Sequence, residues 1–453
     1  MEVTPATPLC LIFLCFVAVA SEAAKCDPKE CRPEDNCLCM SRQPPGNLSV
    51  EKMPQFVMLT FDDHVNAENM YFYRRLLEPG RRKNRANGCN VAATFFVSAV
   101  RTDFSYVHEL HSAGNEIALH SITHRYNDTY WKTLDALGWE AELLGGREIL
   151  RDYALIPEQD MVGARAPFLE AGKGDSLFVM REHGLLYDSS VTVNYVEEPD
   201  KLRVYPYTLD YGLQTLCVIE PCIEGTYKGL WTVPLNGYYR TIQDDTGSLV
   251  QSPCAMADSC DPQPLTRADS FAHLRSNFEL CYHYNKAPFP IFIHAVWLDE
   301  PERAKGLAAF VDWLLTMDDV FFVTVEEVVR FMQNPKPVKE YVQSKCSKAT
   351  EFALCPEIHS CEYEDAQIVG TGFLTSCRQC PEKYPWIREV ARKESERDRA
   401  ADATTLERLY YSISVFFLLG SVLAFFLSVF ACRLSVLFRT RHRVSYYDKI
   451  SLA

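Results

Sequence analysis

Between residues 52 and 335 the chain alternates short apolar runs with longer stretches of mixed polarity. Phe56–Phe61, Ala92–Val97, Glu116–His120, Pro290–Ala295 and Val320–Val325 have the length and content of buried strands. Asp135–Tyr153, Ser176–His183 and Arg303–Thr316 are long enough for helices. Strands separated by helices predict an α/β fold with a parallel sheet or barrel. Asn334-Pro335-Lys336-Pro337 ends the pattern.

Two further apolar runs lie outside this region. Leu9–Ala20 holds 12 apolar residues with small residues following through Ala24. A membrane span needs about 20, so residues 1–24 read as a signal peptide. Leu409–Cys432 holds 24 residues without a charge, enough to cross a hydrocarbon core of about 30 Å. Beyond it, residues 433–453 carry Arg433, Arg439, Arg441, Arg443 and Lys449 against one acid, Asp448. Such a basic flank stays cytoplasmic. The expectation is a single-pass type I protein with one C-terminal transmembrane helix. A charged stalk at 388–408 would carry the bulk of the chain on the extracellular or lumenal side.

Composition narrows this further. The chain has 453 residues, of which 47% are hydrophobic and 12% aromatic, which excludes a largely disordered or collagen-like protein. The net charge is −14 and the tail is basic, so the acidic balance lies outside it. That surface should repel nucleic acid and tolerate a neutral polymer. Of 18 cysteines, Cys10, Cys15 and Cys432 fall in the signal and the span. The other fifteen predict disulfides in an oxidising compartment, with one thiol left over. Cys26, Cys31, Cys37 and Cys39 staple a lead-in over 25–51. Cys346, Cys355, Cys361, Cys377 and Cys380 staple a module over 336–387, and Cys281 is the candidate free thiol. Cys377-x-x-Cys380 reads as disulfide chemistry rather than a zinc or redox motif. Asn47 and Asn127 open N-glycosylation sequons.

Several polar residues stand at the ends of predicted strands. Phe56–Phe61 runs into Asp62-Asp63, and Glu116–His120 runs into His120-Ser121-Ile122-Thr123-His124. A DD pair alone is also a common solvated turn, and an H-x-x-x-H spacing also arises by chance. Together they supply one carboxylate and two imidazoles with open positions, a set suited to Zn²⁺. Arg165 opens Arg165-Ala166-Pro167-Phe168, and its guanidinium can hold a carboxylate such as Asp62 ionised. Asp188 follows apolar Leu185–Tyr187. His294 sits within Ile291–Ala295, where a core role competes with a chemical one. A carboxylate beside it, such as Asp188, would raise its pKa and ready it as a general acid.

TFDD, HSITH, RAPF, YDSS and IFIHAVWL, in that order, resemble the five motifs of the polysaccharide deacetylases, carbohydrate esterase family four. GCNVAATFFVS, HSITHRYNDTYW, CAMADSC and TSCRQCPEKYPW resemble the animal chitin deacetylases. The resemblance covers residues 52–335 and implies a distorted (β/α) barrel. It implies Asp63, His120 and His124 as metal ligands for Zn²⁺, Co²⁺ or another divalent ion. Asp62 would be the general base, oriented by Arg165. The backbone N–H near Phe168 would stabilise the oxyanion, and His294, tuned by Asp188, would be the general acid. The implied reaction deacetylates N-acetylglucosamine units of chitin. Tyr126, Trp131, Tyr205 and Trp297 are candidate sugar-stacking residues. The alternatives are an inactive chitin-binding or structural protein on the same fold, or a deacetylase of another N-acetylated glycan.

Overall fold

Gln55–Asp63 (β1) is buried on both faces until its last residue, as a central parallel strand must be. The computed structural model describes residues 25–193, 202–243, 246–363 and 372–385. In it β1 is flanked in parallel by Phe289–His294 along one edge. On the other edge, Thr94–Ser98 (β2) pairs with the C-terminal half of β1, and Val320–Val323 pairs with the N-terminal half. Glu116–Ser121 (β3), Gly163–Ala164 (β4), Tyr187–Asp188 (β5), Trp231–Thr232 and Tyr207–Thr208 continue the sheet, and only the last pair is antiparallel.

The expected barrel is therefore a curled open sheet. Among the described residues, Phe289–His294 and Tyr207–Thr208 are its two edges and do not pair with each other. The predicted strand at Val320–Val325 ends early because the Thr324 side chain caps the helix Val325–Gln333, accepting from the Glu327 N–H. Ala67–Leu76 (α1) follows β1, Phe104–Ser112 (α2) follows β2, and Asp128–Thr133 (α3) and Ala136–Tyr153 (α4) follow β3. Asp135 caps α4 through the Gly138 N–H, which fixes the predicted start of that helix.

The cysteine-rich ends are tied to the sheet. The lead-in is closed by Cys26–Cys39 and Cys31–Cys37. It exchanges two 2.9 Å hydrogen bonds between Leu38 and Thr208, so it covers the Tyr207–Thr208 edge. Cys346 bridges to Cys89, beside the start of β2, rather than staying within its module. Cys377 and Cys380 pair with Cys355 and Cys361, not with each other. Cys281 is the free thiol among the described residues. It is fully buried, and burial pushes its pKa up to about 12. No helix among the described residues is long and apolar enough to cross a membrane. The expected signal peptide, stalk, transmembrane helix and tail lie outside the described residues.

Candidate active site

Parallel strands bring their C-terminal ends to one edge, and the register decides which residues meet there. Asp62 lies opposite His294, and Leu119 opposite Ala164, so Arg165 follows beside His120; Ala164 lies opposite Asp188. Residues dispersed over more than 200 positions thus converge by pairing alone.

Arg165 is fully buried. Its Nη1 donates to Asp62 Oδ1 at 2.6 Å and Thr60 Oγ1 at 3.0 Å, and its Nε and Nη2 donate to Ser189 O and Oγ at 2.8 and 2.9 Å. Phe96 and Phe292 sandwich the guanidinium at 4.0 and 4.3 Å. The Asp62 carboxylate, itself buried, is thereby fixed against a charge that cannot titrate away.

Asp63, His120 and His124 form a second cluster whose ligand atoms all lie within 4.8 Å of one another. The Asp63 Oδ1 is 3.6 Å from His120 Nε2 and 3.0 Å from His124 Nε2. It is buried and accepts no hydrogen bond. His120 Nδ1 meets the Arg165 carbonyl at 2.7 Å. A carbonyl only accepts, so Nδ1 donates to it and Nε2 is the ring atom that faces the cluster. Burial, followed by the charge of His120, lowers the His124 pKa to about 4, so its ring is neutral. Burial opposes ionisation of Asp63, but the imidazoles of His120, His124 and His294 outweigh it and hold the carboxyl well below its ordinary range. An orphaned buried oxygen beside two imidazole nitrogens fits a divalent ion. Asp63 and His124 reach these places with φ of 79° and 38°, left-handed backbone that a side-chain-bearing residue adopts only when its surroundings impose it.

Glu142 on α4 imposes it for the His120–His124 loop. Wholly buried, it accepts from the Ile122 and Thr123 N–H groups at 2.9 Å each, from Thr123 Oγ1 at 2.5 Å and from the Tyr130 hydroxyl at 3.0 Å. Glu142→Ala should lower the unfolding free energy by about 2–6 kcal/mol, because two buried amides lose their acceptor. It should also weaken metal binding about 10–100-fold. Denaturant unfolding and metal titration check both, and no change in either would mean that the loop is held by other contacts.

His294 carries the third element. Its Nδ1 faces Asp258 Oδ2 at 2.8 Å, and its backbone N–H donates to the same oxygen at 2.6 Å. Burial alone would lower its pKa, but the hydrogen bond and charge of Asp258, then Asp62 and Asp63, raise it to about 9. The ring is protonated at neutral pH, and its Nε2 is free of Asp258.

The partner expected from sequence, Asp188, is elsewhere. It is fully buried and accepts from Ser190 N and Oγ at 3.0 and 2.6 Å and from Thr232 Oγ1 at 3.4 Å. Ser190 Oγ in turn accepts from the Ala166 N–H at 2.8 Å, so Asp188 braces the RAPF segment. Asp258 lies inside CAMADSC, in the loop closed by the Cys254–Cys260 disulfide and outside every predicted strand and helix.

Three of the four candidate stacking aromatics are also displaced. Trp131 is buried with its indole N–H on the Arg125 carbonyl. Tyr205 is buried with its hydroxyl on the Asn285 carbonyl. Trp297 is 3% exposed with its indole N–H on Gln263. Only Tyr126, 94% exposed, offers a free face. Its ring centre lies 6.3 Å from that of His124 and 5.7 Å from that of the half-exposed Phe168. Phe168 follows Pro167 and turns back with φ of 55°. Asn47 and Asn127 are both exposed. Asn127 caps α3 through Oδ1, which leaves its amide nitrogen for a glycan.

Bombyx mori chitin deacetylase 8 is 32% identical to this chain over 385 residues, covering 84% of the chain and 97% of the relative. The chain belongs to the polysaccharide deacetylase family. Bombyx mori chitin deacetylase 1 is 34% identical over 381 residues, covering 82% of the chain and 69% of that protein. No family model matches the chain. A family-four carbohydrate esterase of Streptococcus mutans overlaps 58% of the chain and 83% of itself at 13% identity, with a TM-score of 0.34. This last overlap is too loose to carry an argument. In this polysaccharide deacetylase the sheet edge gathers Asp62 and Asp63 from β1, His294 from the strand paired with β1, and His120 from β3.

Proposed function

We propose that the chain is a metal-dependent hydrolase that removes acetyl groups from N-acetylglucosamine units of chitin, releasing acetate. The observation that carries this reading is the pairing of Asp62 with His294 across neighbouring strand ends, directly beside Asp63, His120 and His124. Asp63, His120 and His124 would hold the ion, Zn²⁺ or Co²⁺ being suited to the donor set. A divalent ion there supplies Lewis-acid polarisation and lowers the pKa of water. Asp62, oriented by Arg165 at 2.6 Å, would take a proton from the attacking water. His294, held by Asp258 Oδ2 at Nδ1, gives its Nε2 proton to the departing amine. The Phe168 N–H, in the RAPF turn, would donate to the developing oxyanion. Tyr126 and Phe168 flank the mouth and would guide a sugar face.

We further infer an exported, glycosylated, type I single-pass protein, with Asn47 and Asn127 as acceptors and Leu409–Cys432 as its anchor. The test of substrate is acetate release by the metal-loaded full chain from chitin oligomers and from other N-acetylated glycans. Release from chitin oligomers above all is expected. Release only from another glycan would reassign the substrate, and chitin binding with no release from any glycan would make this an inactive binding protein.

A further inference from the structure

We propose that Gln263 and Trp297, together with the Cys254–Cys260 disulfide, are positioning residues that clamp Asp258 onto His294. The inference rests on the hydrolytic reading above and concerns how its proton donor is held.

Asp258 belongs to no strand or helix. It sits in the small ring closed by Cys254–Cys260, six positions apart. A loop this short cannot bury its backbone by packing alone, so its polar groups must be tied down one by one. The Ala257 N–H donates to the Phe292 carbonyl at 3.2 Å. His273 Nε2 meets the Ala257 carbonyl at 3.1 Å. The Gln263 amide donates to the Asp258 carbonyl at 2.6 Å and also to the Cys260 carbonyl.

Gln263 is itself held by the Trp297 indole N–H, which donates to its Oε1 at 2.7 Å. Trp297 lies three residues beyond His294 on the same turn. The His294–Trp297 segment therefore grips the ring at two points. His294 grips the Asp258 carboxylate, and Trp297, through Gln263, grips the Asp258 backbone. The ring's backbone at Asp258 therefore cannot shift away from His294 without breaking the Gln263 and indole contacts. The burial that removes Trp297 from sugar stacking is what this contact requires. Asp258 Oδ1 is buried without a hydrogen bond, so orientation rests on Oδ2 and on the backbone clamp.

The test uses the full chain with Trp297→Phe, Gln263→Met and the double variant, beside Asp258→Asn as reference. Each single change is expected to lower kcat about tenfold, with KM and metal content within about twofold of wild type. The double variant should be no slower than the slower single one, since both remove the same contact. Unchanged kcat, a change confined to KM or metal content, or additive losses would overturn the clamp as a catalytic device. Hydrogen exchange of the Trp297 indole N–H, resolved among six tryptophans, decides the clamp independently of turnover. Gln263→Met should speed that exchange, and unchanged exchange overturns the clamp even where Trp297→Phe folds poorly. A wild-type chain that releases no acetate would instead remove the hydrolytic reading.

Discussion

Asp62→Asn is expected to lower kcat for acetate release by about 10²–10⁴-fold while leaving metal content unchanged. Asparagine has nearly the shape of aspartate and can still accept from Arg165 Nη1, the 2.6 Å contact seen here. It cannot accept a proton at neutral pH. Because the ligand set uses Asp63 and not Asp62, the ion should stay. Side-by-side kinetics and elemental analysis separate the two adjacent carboxylates. Full activity in this variant would remove Asp62 as the base. Loss of metal together with activity would mean that the two aspartates share one role.

Arg165→Met is expected to cost about 3–5 kcal/mol of folding stability and to abolish turnover. Methionine fills much of the slot between Phe96 and Phe292, 4.0 and 4.3 Å from the guanidinium. The chemistry of the slot is lost. Asp62 would remain buried as an uncompensated charge, and the Ser189 carbonyl and hydroxyl would lose their donors. Arg165→Lys should fare only somewhat better, because one ammonium cannot span Asp62, Thr60 and Ser189 as the planar fork does. Equilibrium unfolding in denaturant measures the first effect. A variant of wild-type stability would show that Asp62 takes up a proton readily once Arg165 is gone.

The sequence exposed the main parallel strands because strands buried on both faces read as unbroken apolar runs. Three of the runs led into or held the polar residues that face the site: Asp62 and Asp63, His120, His294. Arg165 and its pairing with Asp62 were legible from chemistry, since a buried carboxylate needs a permanent countercharge. The openness of the sheet was not legible. Gly163–Ala164, Tyr187–Asp188, Tyr207–Thr208 and Trp231–Thr232 are two residues each, too short to show any period. Asp188 was the plausible partner for His294 because it too ends a strand. The true contact comes from Asp258, in a loop 36 positions away in sequence and outside every periodic pattern. Glu142 was hidden on a helix among other charged residues, where its complete burial has no local signature. The burial of Trp131, Tyr205 and Trp297 was not legible, for a related reason. A tryptophan or tyrosine near a motif reads the same whether its polar atom meets a carbonyl inside or a sugar outside.

Turnover should depend on an ion at Asp63, His120 and His124 acting with Asp62 and His294. The direct measurement is acetate release from chitin oligomers by the full chain after chelation, followed through addition of Zn²⁺. Release should be absent from the stripped protein and should saturate at one ion per chain. His120→Ala, lacking a ligand, should not recover. Undiminished release from the stripped chain, or full recovery by His120→Ala, would contradict the account.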